Sequence, residues 1–600
     1  MAPKTHEPVP SISLLGDFTT DKRVLLLSLM ALVIGAMCSV VAWGLIALIA
    51  AISNLSFFQN FSTAYHPPST TQLGWILIAV PVVGGIIVGL MARYGSDRIR
   101  GHGIPEALES ILIGRSKMSL RVAILKPVSS AVSIGTGGPF GAEGPIIMTG
   151  GAFGSLFAQL FHLSPAERKT LLVAGAAGGM AAVFNAPVAA VLLSVELLLF
   201  EWKPRSFIPV AVAAATASVL RGPLLGQGPI FPTVPHAGAT WQMLIMGAGV
   251  GVLAGLLSSV LTLAVYFCED SFQRLPIHWM WWPALGGLAV GIGGMVDPRI
   301  LGIGYDTIHS LLRGDLGGGS SAGLLLMKSL VWAIALGSGT SGGVLAPLLI
   351  IGGSLGAFVG GWISPGATGI WALAAMAAVM GGTMRSPLTA MIFSLELTHD
   401  VNALPLLLVA TIAAHTVTVL LMRRSILTEK VVRRGYHVAR EYSIDPLVRV
   451  RVGDVMDAGP FSIPAGMTIG ELAKLIADGA MPYVRHLGIP IVDESGSLVG
   501  IITRGDLMNA LKLYPDGNTP VIEAGTREPV VAYPDEPLSD AVSRMAHHNV
   551  GRLPVVENNG SRNVVGYLGR SAILAARQRL LEEESAREPG WLQSGPQTSP

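Results

Sequence analysis

Charge is what this 600-residue chain has least of. Only 13% of its residues are Asp, Glu, Lys or Arg, against roughly 25% in soluble proteins, too few to cover a wet surface of this size. The two signs nearly cancel, at 40 basic and 38 acidic residues, which excludes the basic footprint of a nucleic-acid binder. Cysteine is almost missing: Cys38 and Cys268 rule out a disulfide framework and a CxxC metal site, and both read as fillers of apolar space. What abounds is apolar and small, with 51% hydrophobic residues, 73 glycines without a G-X-Y period and a mean hydropathy of +0.58. Small residues let membrane helices approach closely. The chain reads as a polytopic membrane protein.

Residues 1–22 read as a cytosolic N-terminal arm. The apolar run 24–51 is too long for a signal peptide's apolar core of about 7–15 residues and predicts the first membrane helix. Further spans are predicted at 73–92, 171–183 with 188–199, 209–220, 241–267, 282–295, 324–336, 347–362, 370–380, 386–397 and 404–421. Several fall short of the roughly 20 residues a crossing needs, and many are broken by Gly or Pro. Broken backbone survives at membrane depth only when buried in protein or lining a wet cavity, which points to a transport pathway. Basic residues such as Lys22, Arg23, Arg423 and Arg424 beside the first and last spans predict cytosolic termini by the positive-inside rule, in the plasma (inner) membrane.

The chain also repeats itself. FNAPVAAVLLSVELL at 184–198 lines up with MRSPLTAMIFSLELT at 384–398, matching Pro187 to Pro387, Ser194 to Ser394 and Glu196 to Glu396. GAEGPIIMTGGAFGSLF at 141–157 lines up with GVLAPLLIIGGSLGAFV at 343–359. Paired breaks in two halves point to a transporter site at the bilayer midplane. The fold expected is an all-α polytopic membrane domain of two inverted-repeat halves with broken helices, followed by a soluble α/β domain. The plan runs 1–22 arm, 23–436 membrane domain (halves about 23–220 and 240–436), 437–449 linker, 450–513 and 520–580 paired modules, and 581–600 disordered tail.

Three loops carry the chemistry. Between residues 127 and 166 the one formal charge is Glu143, set in GAEGP at 141–145, and an ionisable group in such surroundings is expensive and marks a functional site. The flanking Gly and Pro predict a tight loop that feeds a helix from Ile146 onward. Glycines expose the amides of residues 142–144, and a helix N-terminus prefers negative charge, so the Glu143 carboxylate is itself a candidate to fill the anion position. GGVLAP at 342–347 repeats the pattern without a carboxylate, and GHGIPEAL at 101–108 sets Gly-X-Gly-X-Pro before a third helix. Burying an ion costs several kcal/mol, and a hydrogen bond to a charged group returns about 1.5–3 kcal/mol, so some three to five amides and hydroxyls would offset it. None of the loops contains Lys or Arg, which suits a path whose sites must also release their ion.

At these residues the sequence resembles the CLC family of voltage-gated chloride channels and chloride/proton antiporters, over about residues 23–435. The family's GSGIP pattern stands here as GHGIP at 101–105, G(K/R)EGP as GAEGP, and GxFxP as GVLAP at 343–347, with FNAP at 184–187. The resemblance implies a non-enzymatic homodimer in the lipid bilayer, with one pore per subunit, chloride as bound ligand, and no metal or transport cofactor. It implies Glu143 as gate and an anion path along Gly101, His102, Gly103, Ile104 and Pro105; Gly141, Ala142, Gly144 and Pro145; Gly343, Val344, Leu345, Ala346 and Pro347; and Leu427. The amides of Val344 and Leu345 would line the central anion site. Four departures matter: His102 replaces the central serine, Leu427 the tyrosine, Leu197 the internal proton-transfer glutamate, and Ala142 the basic residue before the gate. Losing the internal acid leans toward passive conduction, and His102 reads in two ways: as a neutral wall residue donating one N–H in place of the lost serine or, since imidazole titrates near neutrality, as a partner of Glu143 in pH-dependent gating.

The tail resembles a CBS-domain pair, in HLGIPIVDESGSLVGIITRGDLM at 486–508 and NVGRLPVVENNGSRNVVGYLGRSAI at 549–573. Each copy reads as strand, turn, strand and helix. GIITRGD resembles the module's ribose-binding pattern, making Thr503, Arg504 and Asp506 candidate contacts for an adenine nucleotide. The second copy has Gly569 and Ala572 in those places, so at most one competent site is expected, and a purely structural dimerisation domain is an equal alternative. A chloride/proton antiporter is the close rival to a channel. A CBS-bearing divalent-cation transporter is a distant one, since magnesium calls for carboxylate and water ligands.

Overall fold

The computed structural model describes residues 22–434, apart from 113, 115, 234, 235, 237 and 365, and then 447, 450–459, 461–479, 488–558 and 561–585. The expected arm, nearly all of the linker and the chain beyond Ser585 lie outside the described residues. The chain divides into two compact units that part between residues 442 and 443.

The first unit is helical, and eight helices among the described residues are long and apolar enough to cross a membrane. The longest, Arg23–Phe58, has 36 residues, about 54 Å at 1.5 Å per residue, and must tilt to fit a hydrocarbon core about 30 Å thick. It outruns the expected 24–51 because its end is stapled: the Asn54 amide donates to the carbonyls of Ser62 (2.6 Å) and Ala64 (2.7 Å). Hydropathy hides another helix entirely, Leu120–Gly135, whose buried face carries Lys126, Ser129, Ser130 and Ser133.

Close approach of small residues holds each half together in the same way. A Cβ on Gly154 would stand 2.3 Å from the carbonyl oxygen of Leu171, and one on Gly356 2.1 Å from that of Trp371. These contacts dock helix Glu143–Gln159 on Pro165–Phe184, and Leu345–Ile363 on Thr368–Met384. Without a water-driven force between membrane helices, such packing is what associates them.

The matched glutamates join the halves. Glu396 accepts from the amides of Val188 (3.0 Å) and Ala189 (2.8 Å), at the start of helix Pro187–Leu193. Glu196 accepts from Leu388 (3.3 Å) and Thr389 (2.9 Å), at the start of helix Pro387–Thr398. Each acid thus caps the other half's helix, where a negative charge meets the positive end of the peptide dipoles. Losing a cap costs about 0.5–2 kcal/mol, so E196A and E396A are each expected to lower the thermal midpoint in detergent, and together roughly additively.

In the second unit, strands Gly488–Val492 and Leu498–Thr503 pair antiparallel ahead of helix Arg504–Leu513, and Arg552–Val556 and Val564–Gly569 do so ahead of helix Arg570–Ser585. That last helix runs five residues into the tail expected to be disordered, since RLLEEE at 579–584 is a run of good helix formers. The ends of the modules are exchanged. Strand Asp457–Ala458, near the start of the first module, pairs with Val564–Gly569 of the second, while Thr526–Arg527 of the second pairs with Leu498–Thr503 of the first. Val450 and Val452 accordingly pack with Leu538, Leu553 and Leu568 in the second module's core, so residues 450–458 belong physically with 520–580.

Candidate functional site

The three loops meet. Gly141 and Gly343 exchange both backbone hydrogen bonds, at 3.2 and 2.9 Å, and the Gly101 amide donates to the Thr340 carbonyl at 3.0 Å. Gly144 passes so close to the His102 carbonyl that a Cβ there would stand 2.0 Å from its oxygen. The helices that follow are Ile104–Leu112, Glu143–Gln159 and Leu345–Ile363, each beginning one or two residues before its proline. The second begins three residues earlier than the expected Ile146. Glu143 therefore stands in the first helical turn, not in the loop, because Gly144 and Pro145 both tolerate the helix start, where no amide partner is needed.

Glu143 is wholly buried. Its Oε1 accepts from the Ala346 amide at 3.0 Å, and its Oε2 is buried with no hydrogen-bond partner among the described residues. The carboxylate lies at the positive end of helix Leu345–Ile363, a ready anion position. The expected donors, Val344 and Leu345, stand just before Ala346 at the same helix start, and Ala142 is buried beside Glu143.

His102 is 3% exposed and its Nδ1 has no partner among the described residues. On its other side it borders a cavity of about 440 Å³ shared with Arg100, Tyr266, Glu269 and Lys430. The Arg100 guanidinium lies over the Trp279 ring at 4.6 Å, an attraction between cation and ring face that holds it at the cavity wall.

The loops contain no cation, yet cations stand directly behind them. Lys126 is wholly buried, and its ammonium donates to the carbonyls of Ile99 (2.8 Å) and Gly101 (2.6 Å). Glu106 accepts from the Gly103 amide at 3.0 Å and pairs with Lys430 at 2.8 Å. Sequence reading passed over Lys126 because its helix is too polar to register as a span. An isolated Lys at 126 with another at 328, in a chain that repeats every 200 or so residues, is the signal that would have found it.

Leu427 is buried in helix Ile426–Arg433, which starts on a cap shared by Ser425 and Thr428. A hydroxyl does reach that helix start, from elsewhere: Tyr266 Oη donates to the Ile426 carbonyl at 2.6 Å. In the second unit Thr503 and Asp506 bond each other. The Thr503 amide and hydroxyl donate to Asp506 at 2.8 and 2.7 Å, and the Asp506 amide donates back at 3.2 Å. Together they cap helix Arg504–Leu513, with Arg504 as its first residue.

Comparison with known proteins decides the family. The sequence model described as "Voltage gated chloride channel" matches residues 84–419, and that of the CBS domain matches 452–513 and 521–579. The chain belongs to the CLC family. The voltage-gated ClC-type chloride channel ClcB of Salmonella typhimurium is 30% identical over 367 residues, covering 59% of this chain and 86% of that protein. The H(+)/Cl(-) exchange transporter ClcA of Salmonella arizonae is 29% identical over 397 residues, covering 63% and 82%. Among solved structures, a slow cyanobacterial Cl-/H+ antiporter shares the fold with a TM-score of 0.62 at 23% identity, over 69% of this chain and 99% of that one. A eukaryotic CLC transporter does so with 0.60 at 18%, over 92% and 98%. CLC proteins are membrane transporters and channels, and chloride transport is the activity of the family. Its named relatives include both a channel and an exchanger.

Proposed function

We propose that this CLC protein conducts chloride passively along the three converging helix starts, gated by Glu143. It does so as a homodimer in the plasma (inner) membrane with both termini cytosolic. One observation carries the reading: a carboxylate, itself an anion, sits on the Ala346 amide, so a chloride ion entering that position must displace it. Backbone dipoles, not a bare side-chain cation, hold the ion there, and weak holding is what throughput requires.

Passive conduction is favoured over proton exchange by the fate of the acids after FNAP. The internal position is Leu197, and Glu196 is committed to capping Leu388 and Thr389. In proteoliposomes an outward chloride gradient is expected to drive chloride efflux with no uphill proton movement. Proton pumping that scales with the chloride carried would establish the exchanger instead.

His102 and Glu143 together give the flux a pH dependence. A proton on either lessens net negative charge along the path and favours an incoming anion, so flux is expected to rise as pH falls from about 8 to 5. H102S should shrink that rise, and an unaltered profile would leave the whole response to Glu143.

In the second unit the first CBS module is the one proposed to take an adenine nucleotide, through Thr503, Arg504 and Asp506. Thermal-shift titration of the full chain with ATP, ADP and AMP is expected to raise the midpoint for at least one of them, and T503A to abolish the rise. No shift at millimolar ligand would make the pair a dimerisation domain.

A further inference from the structure

The loop before His102 has a twin that carries no assigned role. RIRGHG at 98–103 lines up with RILGIG at 299–304, a displacement of 201 residues. Each loop is followed by a nine-residue helix, Ile104–Leu112 in the first half and Tyr305–Arg313 in the second. Each is braced by a buried lysine from the next helix along the chain: Lys126 donates to the Ile99 carbonyl, and Lys328 to the Ile300 carbonyl at 2.7 Å. Each is also pinned to the other half's loop. The Gly101 amide donates to Thr340, and the Gly302 amide donates to Gly137 at 3.0 Å. Thr340 stands three residues before Gly343 and Gly137 four before Gly141, so the reciprocal pair of Gly141 and Gly343 links the two segments to which the loops are pinned.

The twin loop offers donors that nothing else takes up. Tyr305, first residue of its helix, has a buried Oη with no hydrogen-bond partner among the described residues. Tyr305 stands within electrostatic reach of both Glu143 and Arg221. Arg221 is 7% exposed, and its Nε is likewise buried without a partner among the described residues. Its Nη1 is held by the Gly226 carbonyl, which fixes the guanidinium in place. The one acid at this helix start, Asp306, is drawn aside by Ser69 Oγ (2.8 Å) and Tyr65 Oη (3.3 Å). Phe231 packs edge-on to the Tyr305 ring at 5.5 Å and limits where that ring can move.

We infer that the Gly302–Tyr305 loop and Arg221 form a second anion site, one step beyond Glu143 on the side away from His102. It takes a halide through the Tyr305 hydroxyl, the amides at the start of helix Tyr305–Arg313 and the Arg221 guanidinium. Ala142, just before the gate, carries no charge, and Arg221 brings a positive one to this site from another helix. An anion resting here would wait for Glu143 to leave the Ala346 amide. The inference rests on the proposed anion path.

Bromide diffraction and sided flux test it together. In crystals of the full chain carrying E143Q, anomalous peaks are expected beside the Ala346 amide and beside Tyr305 Oη, and the second should vanish in E143Q/Y305F. In liposomes, Y305F in the otherwise native chain should raise the half-saturating chloride concentration about ten-fold on the Tyr305 side, the worth of one hydrogen bond to an ion. It should leave the other side unchanged. R221Q should shift the same side in the same direction. A bromide peak at Ala346 with none at Tyr305, or equal half-saturation in Y305F and the native chain, overturns the site while leaving the conduction path standing. Absence of both peaks overturns the path and the site with it.

Discussion

Replacing Glu143 by glutamine is expected to raise chloride flux about ten-fold and to blunt its pH dependence, leaving the share that His102 carries. The carboxylate holds the Ala346 amide with a charged acceptor, and a hydrogen bond to a charged group is worth about 1.5–3 kcal/mol against 0.5–1.5 kcal/mol for a neutral one. The neutral amide therefore gives up about 1–1.5 kcal/mol of hold, close to a ten-fold shift toward the displaced state. The substituted side chain also carries no charge for the positive end of the helix to attract. Efflux from liposomes at fixed pH values between 5 and 8 measures both effects. Flux that stays low and retains its pH profile in E143Q would remove Glu143 from the role of gate.

The second large effect is expected at Lys126. K126M deletes an ammonium that is wholly buried and donates to two loop carbonyls. It leaves the Ile99 and Gly101 oxygens short of a donor and takes a positive charge from the surroundings of Glu106. Leaving a buried acceptor without its donor costs about 1–3 kcal/mol for each. Most of that cost falls on the loop that positions His102, so the thermal midpoint in detergent should drop sharply and flux should fall with it. E106Q is expected to cost less on K126M than in the native chain, where Glu106 faces the Lys126 ammonium as well as its partner Lys430. Additive losses in the double variant would show that the two do not interact. K328M provides the parallel measurement at the twin loop, where one carbonyl, that of Ile300, loses its donor.

Much of the site could be read from the chain alone, and the reason is local. Gly and Pro leave a signature wherever a backbone must turn and restart as a helix, and an isolated acid in a long uncharged stretch announces itself. Hence the Gly101, Gly141 and Gly343 loops and Glu143 were legible. What escaped depended on distance in the chain. Lys126 reaches back across 25 residues to Gly101, and Tyr266 across 160 to Ile426, and no short pattern records either contact. The start of helix Glu143–Gln159 was misjudged because a proline marks the first turn of a helix without fixing which position of that turn it occupies. The exchanged strands of the second unit are two residues long, below the length at which alternation of apolar and polar residues can be seen.

The mutual bond between Gly141 and Gly343 has a consequence for rectification. Two halves that clasp one another through equivalent atoms give the conduit no sense of inward or outward at that contact. Any preference for current in one direction must then come from positions where the halves differ. Such positions include Glu143 opposite Leu345 and His102 opposite Ile303, so exchanging the residues of either pair should change the ratio of inward to outward current.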